Sequence, residues 1–538
     1  MGPRTIVGRT SQVHVEGHGQ SIQDPLLRLR SPLFGLLVAG SVAFAPAIAS
    51  TTGLAHIEVE RPGEPSARAA LAAQLADVPA ATAGLPPALA PISENFTLLG
   101  HHDLGARGMN AALAIHGDHA YIGSRTDGKA VPGVAEDVND AGILIIDISD
   151  PTDLRRVGEI GPPFQGIEGQ TSREMRVWPE RDLLVVQNLG SNCSYLIHEC
   201  SPRSVTDTFD FYDISDPVAP VHVAQYDPTN NPHEFYLWVD PDRPAERALL
   251  FVSGTSSNTF YVTDISDYET GAFTELALTD VDSPNGGDLH SMTPDVDGRT
   301  TYLANLTGGL SVVDTSDFVD GVEAPSFRQL TPPFTAPTWD GPGAHSAVRV
   351  PATDTTIVAD EVYGDLLDNP LFGEHGCPWG WVRFFDTSDP ATPTQVGEFR
   401  LPVNEEDFCA TDVPRPSSSY SAHNPTVTDQ LLFISWHAGG LRVVDISDPS
   451  APTQAGAFIP EPVPAVAQED PALTAGQDKV AFWSFPIIRD GVVHVVDIRN
   501  GLYALAYTGP GAADVAAIDF LEGNSNVGDA RGFLELDD

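Results

Sequence analysis

Gly440-Leu441-Arg442-Val443-Val444-Asp445-Ile446-Ser447-Asp448-Pro449 reads as a short β-strand that ends on a turn. Leucine and the β-branched valines supply the strand, Asp445 and Ser447 can bond nearby backbone amides, and Pro449 cannot continue a ladder. The phrase recurs at Gly142–Pro151, Phe209–Pro217, Tyr261–Asp267, Gly309–Asp317 and Val382–Pro390, with a degenerate copy at Gly501–Tyr507. Its strand-ending aspartates, Asp147, Asp213, Asp264, Asp314, Asp386 and Asp445, stand 50–72 residues apart, with Ala506 in their place in the last copy. Each copy follows an apolar strand such as Leu431–Trp436 and precedes a strand such as Gln395–Leu401. Four strands per unit, repeated seven times, predict an all-β chain folded as a seven-bladed β-propeller.

The seventh copy stops after its third strand, so its blade needs a fourth from elsewhere. Asn95–Leu104 reads like the fourth strands of the other units and is expected to pair beside Gly501–Thr508, completing the last blade and closing the ring with an N-terminal strand. The chain then divides into a signal peptide (1–49), an Ala/Pro-rich linker (50–93), the propeller (94–511) and an acidic C-terminal tail (512–538). The signal reading rests on Arg28 and Arg30 before the apolar run Leu33–Ala49, with Ala47 and Ala49 forming a small-residue cleavage site. It predicts a secreted, periplasmic or cell-surface protein with no stable membrane span after cleavage. Export permits disulfides; Cys193 with Cys200 and Cys377 with Cys409 is the most local of the three pairings that four cysteines allow.

These copies resemble the LVIVD-repeat family of exported bacterial β-propellers over roughly residues 95–510. The resemblance implies fold and location; the family has no single activity, so chemistry must be argued from the site.

The 538 residues carry 28 basic against 74 acidic side chains, a formal net charge of −46, and the only lysines are Lys129 and Lys479. Phosphate backbones draw their affinity from Lys and Arg, so a nucleic-acid partner is excluded. The carboxylates are spread along the chain, as on a solvated acidic surface. Asp295–Gly298 and the loop from Glu136 to Asp140 are acidic but lack EF-hand spacing, and no Walker A, G-x-S-x-G or H-E-x-x-H motif occurs.

Aligning the first strands of the seven units puts Met109, Arg173, His233, His290, His345, His423 and Trp483 at one position. First strands line a propeller's axis, so residues far apart in sequence converge there. The ends of the antiparallel second strands reach the same face, adding Glu361 and His437 among other polar groups. His233, His290, His345, His423 and His437, with Glu174, Glu234 or Glu361, are therefore the candidate ligands of a divalent transition metal: zinc, copper, iron or manganese. Two functions are compatible with this pattern. One is a binding or interaction module for a protein or small-molecule ligand; the other is an exported metal-dependent oxidoreductase or hydrolase with its chemistry at the axial site.

Overall fold

Each copy of the repeat forms the third strand of an antiparallel sheet, because its apolar residues are flanked by equally apolar second strands. In blade 1 the order from the axis outward is Asn110–His116, His119–Ser124, Ile143–Asp147 and Arg155–Ile160. A computed structural model describes residues 87–125, 142–160, 171–189, 207–254, 258–283, 287–362, 379–409, 415, 417–470 and 472–535. Within them seven antiparallel sheets form the ring of a seven-bladed β-propeller. Second strands such as Leu183–Leu189 and Ala248–Gly254 are buried along their whole length, as expected of strands covered by a blade on either side. Outer strands such as Val221–Tyr226 alternate exposed and covered residues.

The turn after each third strand has one cause in six blades. The Oδ1 atoms of Asp147, Asp213, Asp264, Asp314, Asp386 and Asp445 each accept the N–H of the residue two places on, at 2.8–3.1 Å. That residue is a serine in all six, and its hydrogen bonds hold the carboxyls of Asp147, Asp213 and Asp386 below their usual range.

Outer strands share a second device, a glycine against the turn of the next blade. A Cβ at Gly158 would lie 2.7 Å from the Val218 carbonyl oxygen, and one at Gly397 would lie 2.1 Å from that of Pro449. Gly100 meets the Pro151 oxygen of blade 1 in the same way, at 2.2 Å. It belongs to Phe96–His102, which runs antiparallel to Gly501–Tyr507 from Phe96 opposite Tyr507 to His102 opposite Leu502, with a register shift between Leu98 and Gly100. Ile92–Glu94 adds a fifth strand to blade 6, beside Thr453–Ile459.

The stretch after Gly511 returns to the axis. Phe520–Leu521 pairs with Ile487–Arg489, the inner strand of blade 7. The following amides then bond the inner strands of other blades: Asn524 Nδ2 donates to the Phe235 carbonyl, and Asn526 donates to the carbonyls of Val239 and Val296 while its Oδ1 accepts the Val239 N–H. A cleft beside this segment is lined by Tyr236, Asp295, Arg349, Leu521, Glu522 and Phe533, and lies toward the ends of the inner strands, whereas the histidines sit at their starts. Asn526→Ala would strand the buried N–H and carbonyl of Val239, the Val296 carbonyl keeping Trp238 Nε1 as a donor, so it is expected to cost about 2–4 kcal/mol. Urea unfolding measures this, and an unchanged midpoint would refute the anchoring role.

Among the described residues no helix is long and apolar enough to cross a membrane. The proposed signal peptide and Cys193, Cys200 and Cys377 lie outside the described residues; Cys409 ends the short helix Glu406–Cys409.

Candidate metal centre

The first strands of blades 2, 3 and 5 each carry one residue more than the second strand can pair. Ser172 and Glu174 face the adjacent Asn188 and Gln187, Pro232 and Glu234 face Gly254 and Ser253, and Ala344 and Ser346 face Asp360 and Ala359. The surplus residues are Arg173, His233 and His345, and a bulge of this kind re-aims a side chain. His290, His423 and Trp483 hold the corresponding place in blades 4, 6 and 7, each giving its N–H to a second-strand carbonyl, those of Ala304, Ser435 and Val496. Neighbouring blades lock these positions. Gln187 donates to the His233 carbonyl at 2.7 Å, Ser253 to that of His290 at 2.6 Å, Ser291 to that of His345, and Asn424 to that of Trp483 at 2.9 Å.

The imidazoles form an arc. Ring centroids are 4.2 Å apart for His233 and His290, 4.1 Å for His290 and His345, 4.3 Å for His345 and His423, and 4.8 Å for His423 and His437. All five rings are buried, as are Glu234 and Glu361. Glu361 Oε1 lies 3.1 Å from His437 Nε2 and 3.5 Å from His423 Nε2, and its Oε2 lies 3.4 Å from His345 Nε2. Glu234 Oε1 is 3.7 Å from His345 Nε2 and 4.0 Å from His290 Nδ1. Three overlapping triads gather donor atoms within 4.8 Å of one another: His233, Glu234 and His290; His290, His345 and Glu361; Glu361, His423 and His437.

His423 shows what these contacts mean chemically. Its Nδ1 lies 2.9 Å from the Trp483 carbonyl, which can only accept, so Nδ1 carries the proton. Burial, and next the neighbouring His345, push its pKa well below the ordinary histidine value, so the ring is neutral. Its Nε2 therefore presents a lone pair toward the Glu361 carboxyl, with Oε1 3.5 Å away. A cation is a group that both can ligate. His437 is held in the left-handed region at φ 32°, with its Nδ1 2.9 Å from Ser419 Oγ. Backbone strain in a non-glycine residue is the kind stored at functional sites.

The family model described as LVIVD repeat matches residues 137–160 and 422–459. The chain carries the LVIVD repeat. No curated protein matches its sequence. Solved structures similar to this LVIVD-repeat propeller include Sqt1 from Chaetomium thermophilum, at 14% identity and TM-score 0.40, covering 77% of this chain and 86% of that one. Sqt1 from Saccharomyces cerevisiae gives 8% identity and 0.43, covering 77% and 99%, and Raptor from Chaetomium thermophilum gives 9% and 0.42, covering 77% and 29%. These likenesses carry no functional argument.

The LVIVD propeller does not bring every candidate into the arc. Glu174 is turned to Arg176, 3.2 Å away; burial raises its pKa and the arginine pulls it back. On the side of blades 1, 2 and 7 the arc gives way to Trp483, which stacks on His437 with rings 3° from parallel and carries the Arg125 guanidinium 4.3 Å above its ring. Arg125 is itself paired with buried Asp470 at 3.1 Å. Asp470 and Ser419 escaped the sequence reading because they come from loops outside the repeat. The one visible sign was the serine run 417–419 and 421, in which the buried Ser419 and Ser421 hydroxyls satisfy backbone groups of Val362 and Gly380 and Ser418 donates to Asp478.

Proposed function

We propose that this chain is an exported binding module whose propeller holds a divalent transition metal ion in its axial belt of histidines and glutamates. A β-propeller built of LVIVD repeats fits an interaction module, and the signal-type sequence before residue 50 supports export. The observation that carries the metal reading is the neutral His423 facing Glu361 across 3.5 Å, inside a buried set of imidazoles. Imidazole with carboxylate suits zinc, copper, iron and manganese. Second-sphere contacts that aim the rings, such as Trp483 carbonyl on His423 and Ser346 Oγ on His345 at 2.7 Å, resemble those that orient metal-bound histidines generally.

The test is elemental analysis of the protein from residue 50 onward, purified without chelator or affinity histidines. Metal at one equivalent or more is expected, falling at least severalfold in His423→Ala with the circular dichroism spectrum retained. A metal-free protein that takes up none of the four ions would overturn the reading.

A further inference from the structure

The belt offers more donors than one ion can use. Five histidines and two glutamates line it, whereas zinc in protein sites takes about four ligands. The arc is also too long for a single ion to touch both ends: His233 and His437 are separated by four successive ring-to-ring contacts of 4.1–4.8 Å. The donor triads resolve this, because the first and the third share no residue.

We infer that the belt is a two-ion centre, with one ion held by His233, Glu234 and His290 and a second by Glu361, His423 and His437. His345 stands between them, its Nε2 3.7 Å from Glu234 Oε1 and 3.4 Å from Glu361 Oε2. Its placement lets it complete either ion's set and sets the distance between the two. The carboxylates divide in the same way. Glu234 comes from the first strand of blade 3, beside His233, while Glu361 ends the second strand of blade 5 and turns Oε1 to His423 and His437 of blade 6. Each ion thus meets at least two imidazoles and one carboxylate, a donor set common to both halves of two-metal sites. At the first pole the His233 and His290 rings converge, their Nε2 atoms 2.8 Å apart and in hydrogen-bond contact.

This inference rests on the metal-binding reading, and its test separates the two. The chain from residue 50 onward is loaded with Mn(II) alone, desalted and analysed for manganese, with electron paramagnetic resonance spectra recorded on the same samples. Two equivalents and a spectrum showing exchange coupling between neighbouring ions are expected. His233→Ala and His437→Ala should each bind one equivalent and give an uncoupled spectrum, since each removes a ligand of a different ion. His290→Asn and His423→Asn repeat the comparison if either alanine variant fails to fold. One equivalent in the parent, lost in variants at either pole, would overturn the two-ion centre and leave a single site. No uptake of manganese, zinc, copper or iron by the folded parent would overturn the metal reading itself.

Discussion

A chain lacking residues 94–103 is expected to lose its single cooperative unfolding transition and to associate through the bared edge of Gly501–Tyr507. Six residues of that strand pair with Phe96–His102, which occupies its outer side. Phe96 is buried against Tyr507 and Phe458, with ring centroids 5.5 and 6.5 Å away, and its loss alone, as Phe96→Ala, should cost about 3–5 kcal/mol. Deletion adds the exposure of a row of unpaired backbone groups, a template for pairing between chains. Thermal unfolding and light scattering check the first effect, and a synthetic peptide of residues 94–103 should restore the transition by adding back the strand. A deletion chain that unfolds at the parent temperature and stays monodisperse would sink the role given to this strand.

The architecture was legible because its determinants are local and repeated. An aspartate two residues before a serine makes the same turn six times, and that recurrence survives in the sequence even where strand composition drifts. The axial histidines were legible for a related reason: they occupy one position of the repeat, and the repeat places that position at the axis. What stayed hidden depends on contacts between distant segments. Glu174 shares the register of Glu234, yet Arg176, two residues on, captures it, a choice that alignment cannot see. Asn524 and Asn526 anchor the last segment by bonding backbone groups of blades 3 and 4 through side-chain amides, which leave no periodic pattern. The same holds for Asp470, whose partner Arg125 is 345 residues away.

Asp497→Ala is expected to be among the most damaging single substitutions, because one carboxylate organises the junction of the last blade with the axial belt. Its Oδ1 accepts the N–H groups of Arg499 and Asn500 at 2.8 and 2.7 Å and the Asn500 side-chain amide at 2.9 Å, while Oδ2 accepts the Ala481 N–H at 2.7 Å. All four donors would be left in a site that excludes water, since Asp497, Asn500 and Ala481 are completely buried. Each stranded donor costs about 1–3 kcal/mol, and a combined loss of about 3–5 kcal/mol follows because neighbouring losses do not add in full. The damage should reach the belt as well. Ala481 stands two residues before Trp483, whose carbonyl fixes the His423 proton and whose ring stacks on His437, so freeing its N–H loosens the group that aims two candidate ligands. Asp497→Asn keeps one carbonyl oxygen for the three donors on the Oδ1 side and sets an amide against the Ala481 N–H; its expected cost is about 1–3 kcal/mol. Denaturant unfolding orders the three proteins, and near-ultraviolet circular dichroism reads the tryptophan. A change at Trp483 in the asparagine variant, with most of the stability kept, would separate the belt's alignment from the blade's integrity; stability equal to the parent in the alanine variant would mean that the junction is held by the flanking strands instead.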